Sequence, residues 1–191
     1  MFIELESERL LLAEVKEHHS KRLYEIFSNE EVTRYYGMDT FTSIENAVNL
    51  IHSFQRMFNE KRSIRWGLIL KENNELIGTA GFNNLQTWNK RAEIGYELDP
   101  DYWGKGLAAE AVEELLRYGY EDLGLYRIGA VTYPDNAASQ RLLERHAFQK
   151  EGLLRGYIFQ NGRSHDANIY SILKEDWMVS KERKVNPASR A

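Results

Sequence analysis

A single mixed α/β domain is the fold class this sequence predicts, and three observations predict it. The chain has 191 residues, 42% apolar and 28% charged, a size and balance that suit one soluble domain with a real core. Its apolar periodicity changes along the chain between the two-residue repeat of a strand and the three-to-four-residue repeat of a helix. No internal repeat, low-complexity segment or interior linker divides it. The order that results is strand, two helices, three strands, helix, strand, helix, two strands.

Residues 8–13 (Glu-Arg-Leu-Leu-Leu-Ala) read as the first strand. Residues 18–27 carry Leu23, Ile26 and Phe27 at helical spacing. A polar, aromatic link follows through Glu30, Glu31, Tyr35 and Tyr36. Thr42 and Glu45 form a capping-box pattern ahead of an amphipathic helix that repeats Ile44, Val48, Ile51, Phe54, Met57 and Phe58. Residues 65–70 and 76–82 are short apolar runs around Lys71-Glu72-Asn73-Asn74-Glu75, the pattern of a hairpin. A polar loop holding Asn83, Asn84 and Asn89 leads to a strand at 92–98. Gly104 and Gly106 then turn the chain into a helix over 107–120. Residues 126–133 are another strand, which Pro134-Asp135-Asn136 ends before a helix over 137–146. Two final strands, 152–159 and 164–173, meet across Gln160-Asn161-Gly162, and Asn-Gly is a strong hairpin signal. The domain is placed at 1–178. Residues 179–191 are a polar tail, whose basic residues at 181–184 with Arg190 read as a solvated, frayed terminus.

Composition excludes several functions. No run of 18 apolar residues is present, so no membrane helix is expected. Met1-Phe2-Ile3-Glu4 lacks the basic and long apolar regions of a secretory signal. The absence of cysteine removes disulfides, thiolate metal sites and a cysteine nucleophile, and fits a cytoplasmic location. A net charge of −4 speaks against nucleic acid as a partner. His18-His19 have no third ligand at useful spacing, and His146 and His165 are isolated, so no metal is expected.

The most informative segment is Asp99-Pro100-Asp101-Tyr102-Trp103-Gly104-Lys105-Gly106-Leu107-Ala108-Ala109. It joins a strand to a helix through two glycines, which let backbone approach a ligand closely. The first helical N–H groups have no partners inside the helix and favour a phosphate. A pyrophosphate cradle follows. Gly104-x-Gly106-x-x-Ala109 also fits a dinucleotide fingerprint. Five residues intervene between strand and glycine, however, over 90 residues precede it, and the βαβ units of a second half are missing. The G-x-x-x-x-G-K-[ST] pattern of an ATP-type loop is absent.

Trp103-Gly104-Lys105-Gly106-Leu107-Ala108 resembles motif A of the GNAT superfamily of acyl-CoA-dependent N-acyltransferases, with Trp103 where a Gln or Arg is usual. That substitution resembles the RimJ/RimL branch, which acetylates ribosomal-protein N-termini. The similarity continues through Ser7-Glu8-Arg9-Leu10-Leu11-Leu12, Glu31-Val32-Thr33-Arg34-Tyr35, Ala92-Glu93-Ile94-Gly95-Tyr96-Glu97-Leu98, Asn136-x-x-Ser139-x-x-Leu142 and Asn161-Gly162-x-x-His165-Asp166-x-Asn168-x-Tyr170, in the branch's order. The resemblance implies a central, mixed, mostly antiparallel sheet of six to seven strands flanked by about four helices, with strands splayed at the CoA site. It implies direct transfer of acetyl from acetyl-CoA to an amine.

Residue roles follow from the same resemblance. Backbone of Trp103, Gly104, Lys105, Gly106, Leu107, Ala108 and Ala109 binds the pyrophosphate, with Lys105 as a charge. Tyr96, Glu97 and Leu98 pair with pantetheine, and a backbone N–H near Leu98 stabilises the oxyanion. Asn136 is either a pantetheine ligand or a helix cap. Ser139 is either the hydroxyl at the leaving sulfur or a first-turn serine, with Tyr133 as a second acid candidate. Glu93 is either the base that deprotonates the amine or a strand carboxylate bonded to a neighbour. Glu97 and Asp166 are alternative bases. Glu30, Glu31, Tyr35, Tyr36 and Tyr157 are candidates for the acceptor groove, where acids and aromatic faces attract a cationic amine.

Two departures stand out. Ile158 occupies the strand position where the RimL-type pattern has an acid, and Ala147 stands where glycine usually precedes Phe148. The acceptor is a protein N-terminus, or a small amine such as an amino acid, polyamine or antibiotic. A non-catalytic acyl-CoA-binding module is a third reading. Monomer and homodimer both remain open.

Overall fold

Eight strands form one sheet, and the single parallel pair within it creates the site. A computed structural model describes residues 2–185. The strands are β1 (Leu5–Glu6), β2 (Leu10–Glu14), β3 (Ile64–Leu70), β4 (Glu75–Gln86), β5 (Arg91–Leu98), β6 (Arg127–Thr132), β7 (Gln149–Gln160) and β8 (Arg163–Leu173). Their spatial order is β1-β2-β3-β4-β5-β6-β8-β7, antiparallel except for β5 with β6. The helices are α1 (Ser20–Phe27), α2 (Glu30–Thr33), α3 (Ile44–Asn59), α4 (Leu107–Arg117), α5 (Ala137–Arg145) and α6 (Lys174–Val185). Parallel neighbours need a crossover, which α4 supplies between β5 and β6. Among the described residues no helix is long and apolar enough to cross a membrane.

Side chains alternate across a strand, and the two faces bury different partners. Ala92, Ile94 and Leu98 of β5 join Leu107, Ala111 and Leu115 of α4 in the larger core cluster. The opposite face carries a smaller cluster built from Leu23, Ile26 and Phe27 of α1 with Ala47 and Ile51 of α3. Glu93 and Glu97 of β5 fall in the alternate row, on that second side.

The differences from expectation have local causes. The sheet has eight strands rather than six or seven because Leu5–Glu6 adds a short edge. Among the described residues there are six α-helices rather than about four. The link after α1 contains the short α2, whose N-cap Asn29 accepts from the Glu31 N–H. The cap of α3 is Ser43 with Asn46, one position beyond Thr42 and Glu45. The polar loop at 83–86 is strand: β4 continues to Gln86 through a bulge that pairs Asn83 with Glu93 and Gln86 with Arg91. The helix over 107–120 ends at Arg117 and finishes in a wider π-helical turn, Tyr118–Asp122.

The polar tail expected from residue 179 is helical through 185, because α6 docks Trp177 on Tyr120 with ring centroids 5.1 Å apart. Arg190 lies outside the described residues. Ala147 is left-handed, with φ of 64°, a conformation that costs an alanine about 1–2 kcal/mol.

Candidate active site

The site begins where the parallel pair stops. β5 and β6 pair only from Arg91↔Arg127 to Ile94↔Ala130, although β5 runs on to Leu98 and β6 to Thr132. From Gly95 and Val131 onward the strands part. A cavity of about 570 Å³ opens there, lined by residues of both strands, of α5 and of the segment after α2. The Asp99 N–H donates to the Ile77 carbonyl across β4 (2.8 Å). By strand alternation the Leu98 N–H is therefore directed to the opposite edge, toward the gap. The Leu98 carbonyl accepts from the Trp103 indole N–H (2.8 Å), which ties the following turn to the end of β5.

That turn is exposed from Trp103 to Gly106. Gly106 has φ of 79° and is the N-cap of α4, so the helix opens without a capping side chain. Arg9, which the sequence motifs include but to which they give no role, anchors it. Its guanidinium donates to the Lys105 carbonyl (3.0 Å) and pairs with Glu110 (2.7 Å). Glu110 also accepts from the Arg9 N–H and the Ser7 hydroxyl, both at 2.7 Å. Burial opposes its charge, yet these partners hold its carboxyl below the usual carboxylate range. Lys105 reaches over the Tyr102 ring (5.1 Å). The Leu107 side chain is buried in the core, so only its backbone faces the turn.

On the α4 side of the gap, Tyr96 and Thr132 line the cavity together with Ser139 and Asn136 of α5. Asn136 is the N-cap of α5, its Oδ1 accepting from the Ser139 N–H (3.1 Å). Burial pushes the Tyr96 phenol up to about 12, and the Ser139 hydroxyl draws it partly back.

On the other side, Glu93 is the one carboxylate among the residues lining the cavity. Asn84 Nδ2, carried on the bulge of β4, donates to its Oε2 (3.0 Å). Tyr35, Tyr36, Tyr157 and Ile158 line the same cavity.

Several expected site residues lie elsewhere. Glu97 contributes no side chain to the cavity. It is buried beneath it, accepting hydrogen bonds from Arg65 and Thr79. Burial pushes its carboxyl up, and Arg65 and Thr79 draw it partly back. Burial likewise opposes the Arg65 charge, which Glu97 more than restores. Glu97 thus sits in a buried pair with Arg65, outside the cavity lining. Asp166 does not line the cavity either: its Oδ1 accepts from the Gly156 N–H (2.8 Å) where β7 bulges. Glu30 and Glu31 line a separate cavity of about 520 Å³ with Arg34, Arg163 and His165. The Tyr133 hydroxyl donates to Gln160, and its ring packs on Tyr35 (5.7 Å). Gln160 Nε2 in turn donates to the carbonyls of Thr33 (2.8 Å) and Met38 (2.7 Å). Tyr133 itself does line the main cavity, with its hydroxyl engaged by Gln160.

Arg65 is the main residue that sequence reasoning missed. Its guanidinium spans three strands, donating to Thr79 (2.6 Å), Glu97, the Gly95 carbonyl (3.0 Å) and the Tyr36 hydroxyl (3.1 Å). A Cβ on Gly95 would sit 3.1 Å from Arg65 Nη1, so glycine leaves room for it. The available signal was an arginine heading an otherwise apolar strand. Among the described residues no group of three or more His, Cys, Asp or Glu is placed to hold a metal ion.

Comparison with known proteins agrees with this geometry. The family described as "Acetyltransferase (GNAT) domain" matches residues 9–149. The chain is 48% identical over 174 residues to "Uncharacterized N-acetyltransferase YoaA" of Bacillus subtilis (strain 168), covering 91% of this chain and 98% of that protein. It is 30% identical over 167 residues to "Ribosomal-protein-serine acetyltransferase" of Escherichia coli (strain K12), covering 86% and 93%. Among solved structures, a "Probable acetyltransferase" superposes with a TM-score of 0.82 at 27% identity, over 92% of this chain and 99% of the other. A RimL ribosomal L7/L12 α-N-protein acetyltransferase in complex with coenzyme A shares the fold with a TM-score of 0.76 at 22% identity, over 90% and 98%.

Proposed function

Because the chain belongs to the GNAT acetyltransferase family, we propose that it carries acetyl from acetyl-CoA to a primary amine entering on the Glu93 side of the gap, and that this amine is the α-amine of a protein N-terminus. The observation that carries the reading is the parting of β5 and β6, which leaves a gap whose lining brings the Tyr96, Thr132 and Ser139 hydroxyls together with a single carboxylate, Glu93. The relative that acetylates a ribosomal-protein serine supports the N-terminal acceptor.

The residues fit the donor. The glycine turn is open: a Cβ on Gly104 would meet nothing within 4 Å. The Tyr96 and Thr132 hydroxyls are buried without partners in the cavity where the strands part. Backbone N–H groups over 104–109 with Lys105 would hold the pyrophosphate, and the free edge of β5 at 96–98 with Asn136 would hold the pantetheine. When bound, acetyl-CoA supplies an activated acetyl thioester.

The chain's own groups do the rest. The Leu98 N–H, directed into the gap, is the donor for developing oxyanion charge. Ser139 holds a proton on the sulfur side. Glu93, oriented by Asn84, takes the proton of the amine directly or through water. An α-amine has a pKa of about 8, so that demand is modest.

Release of thiol from acetyl-CoA, measured with a panel of N-terminal peptides, amino acids, polyamines and amine antibiotics, tests the acceptor. Turnover confined to peptides supports the reading, turnover on small amines alone replaces it, and CoA binding with no turnover on any acceptor favours a binding module. Glu93→Gln is expected to lower kcat/KM about a hundredfold or more at neutral pH, less at alkaline pH where the amine is already neutral, with CoA affinity unchanged. An unaltered pH–rate profile removes Glu93 from the role.

A further inference from the structure

Two buried side-chain hydroxyls among the described residues make no hydrogen bond of normal geometry, Tyr96 Oη, which has only the Ser139 hydroxyl near it, and Thr132 Oγ1, and both belong to residues lining the same cavity. They sit on the two strands that part, one from β5 and one from β6. Each continues the row that packs on α4: Ile94 precedes Tyr96, and Ile128 and Ala130 precede Thr132. An unpaired buried hydroxyl is costly, and pairs of them in a native protein call for an explanation. Backbone does not provide one, because the strand edges on either side are the parted ones.

Burial keeps the Tyr96 phenol protonated well above neutral pH, so it is a hydrogen-bond donor throughout the working range. Tyr133, which follows Thr132 and also lines the cavity, has its proton committed to Gln160.

We propose that Tyr96 is a catalytic residue of the donor half, whose phenol O–H donates to the donor's sulfur as negative charge gathers there, with Ser139 beside it. This rests on the acetyl-CoA reading above. Tyr96 keeps its proton: it lowers the basicity of the sulfur by a charge-assisted hydrogen bond and does not itself become a phenolate. The proton that finally resides on sulfur comes through Ser139. Thr132 Oγ1 is left to polar groups further along the donor.

The chain contains no cysteine, so once the tyrosinate absorbance is removed by subtracting the same titration of the complex with desulfo-CoA, the remaining thiolate absorbance reports the CoA thiol alone. Calorimetry first establishes CoA binding to the wild type and to Tyr96→Phe, which removes one oxygen and keeps the ring. The pH titration of the bound thiol then reads the bond. We expect a midpoint about one to two pH units lower in the wild type than in Tyr96→Phe, and kcat about ten- to a hundredfold lower in the variant with the acceptor KM unchanged. Fluorotyrosine introduced at position 96, a stronger donor of the same shape, is expected to lower the midpoint further. Thr132→Val is expected to leave it in place. Equal midpoints in the wild type and Tyr96→Phe, with CoA bound in both, overturn the proposal. Failure of the wild type to bind CoA overturns the donor reading itself, and this proposal with it.

Discussion

The glycine turn and the Glu93 side of the gap are assembled in contrasting ways. The turn comes from one stretch, residues 98–110, held by Trp103 to the Leu98 carbonyl and by Arg9 to the first helical turn. The Glu93 side takes Tyr35 and Tyr36 from the segment after α2, Arg65 from β3, Asn84 from β4, Glu93 from β5 and Tyr157 from β7. A local device works as soon as its own residues adopt their backbone angles. A side built from five segments works only when the whole sheet has registered, and it needs a fastener.

Arg65 is that fastener, and removing it is expected to break the contrast most sharply. Its side chain and that of Glu97 are 3% and 4% exposed. Arg65→Met leaves the buried Glu97 carboxyl without its cation, a change that costs about 3–5 kcal/mol. Urea unfolding should show that loss, and the double variant Arg65→Met/Glu97→Leu should recover most of it, because two apolar groups replace the pair. CoA affinity measured on whatever folds should change little, since the turn does not depend on this pair. A large loss of CoA affinity in the folded double variant would mean that the two sides are not independent.

Gly106→Ala tests the other side. Space is available, since its Cβ would meet only Arg9 Nη2 at 3.5 Å, but the residue has φ of 79°. The expected cost is about 1–2 kcal/mol from the left-handed backbone, read as a lower Tm, together with weaker CoA binding and an unchanged acceptor KM.

The same contrast explains what was legible in the sequence. Gly104 and Gly106, Asn136 as a cap and the left-handed Ala147 are local, so their backbone roles could be read from neighbours. Glu93, Tyr35 and Tyr157 could be named, but their meeting depends on register. Glu97 and Asp166 looked equivalent to Glu93 as carboxylates. Only tertiary partners distinguish them: Arg65 and Thr79 for one, the Gly156 N–H for the other. β4 was cut short at residue 82 because Asn83 and Asn84 are turn residues by composition, and pairing with β5 overrides that preference. α6 was missed because Trp177 is its one buried side chain among those described, too little to form a periodic pattern.

The smallest expected effect concerns the outer wall of the Glu93 side. β7 pairs with β8 alone, so it is an edge strand. Glu151 fastens it across β8: its carboxylate pairs with Arg127 of β6 (2.5 Å) and accepts from the Ser171 hydroxyl (2.7 Å). Arg127 above all, and then Ser171, hold the Glu151 carboxyl down at about 2, against a usual 4.5. A lowered carboxyl stabilises the fold above its unfolded value, and that contribution disappears as pH falls from about 4.5 toward 2. Both side chains are more than a third exposed, at 35% and 41%, so solvent reduces the gain to about 1 kcal/mol or less. Glu151→Gln should therefore lower stability slightly at neutral pH and leave it unchanged near pH 2, as paired urea titrations would report. Because Tyr157 and Ile158 ride on the same strand, the variant should also raise the acceptor KM while CoA affinity stays fixed. A matching loss of CoA affinity would show that β7 supports both sides of the gap rather than one.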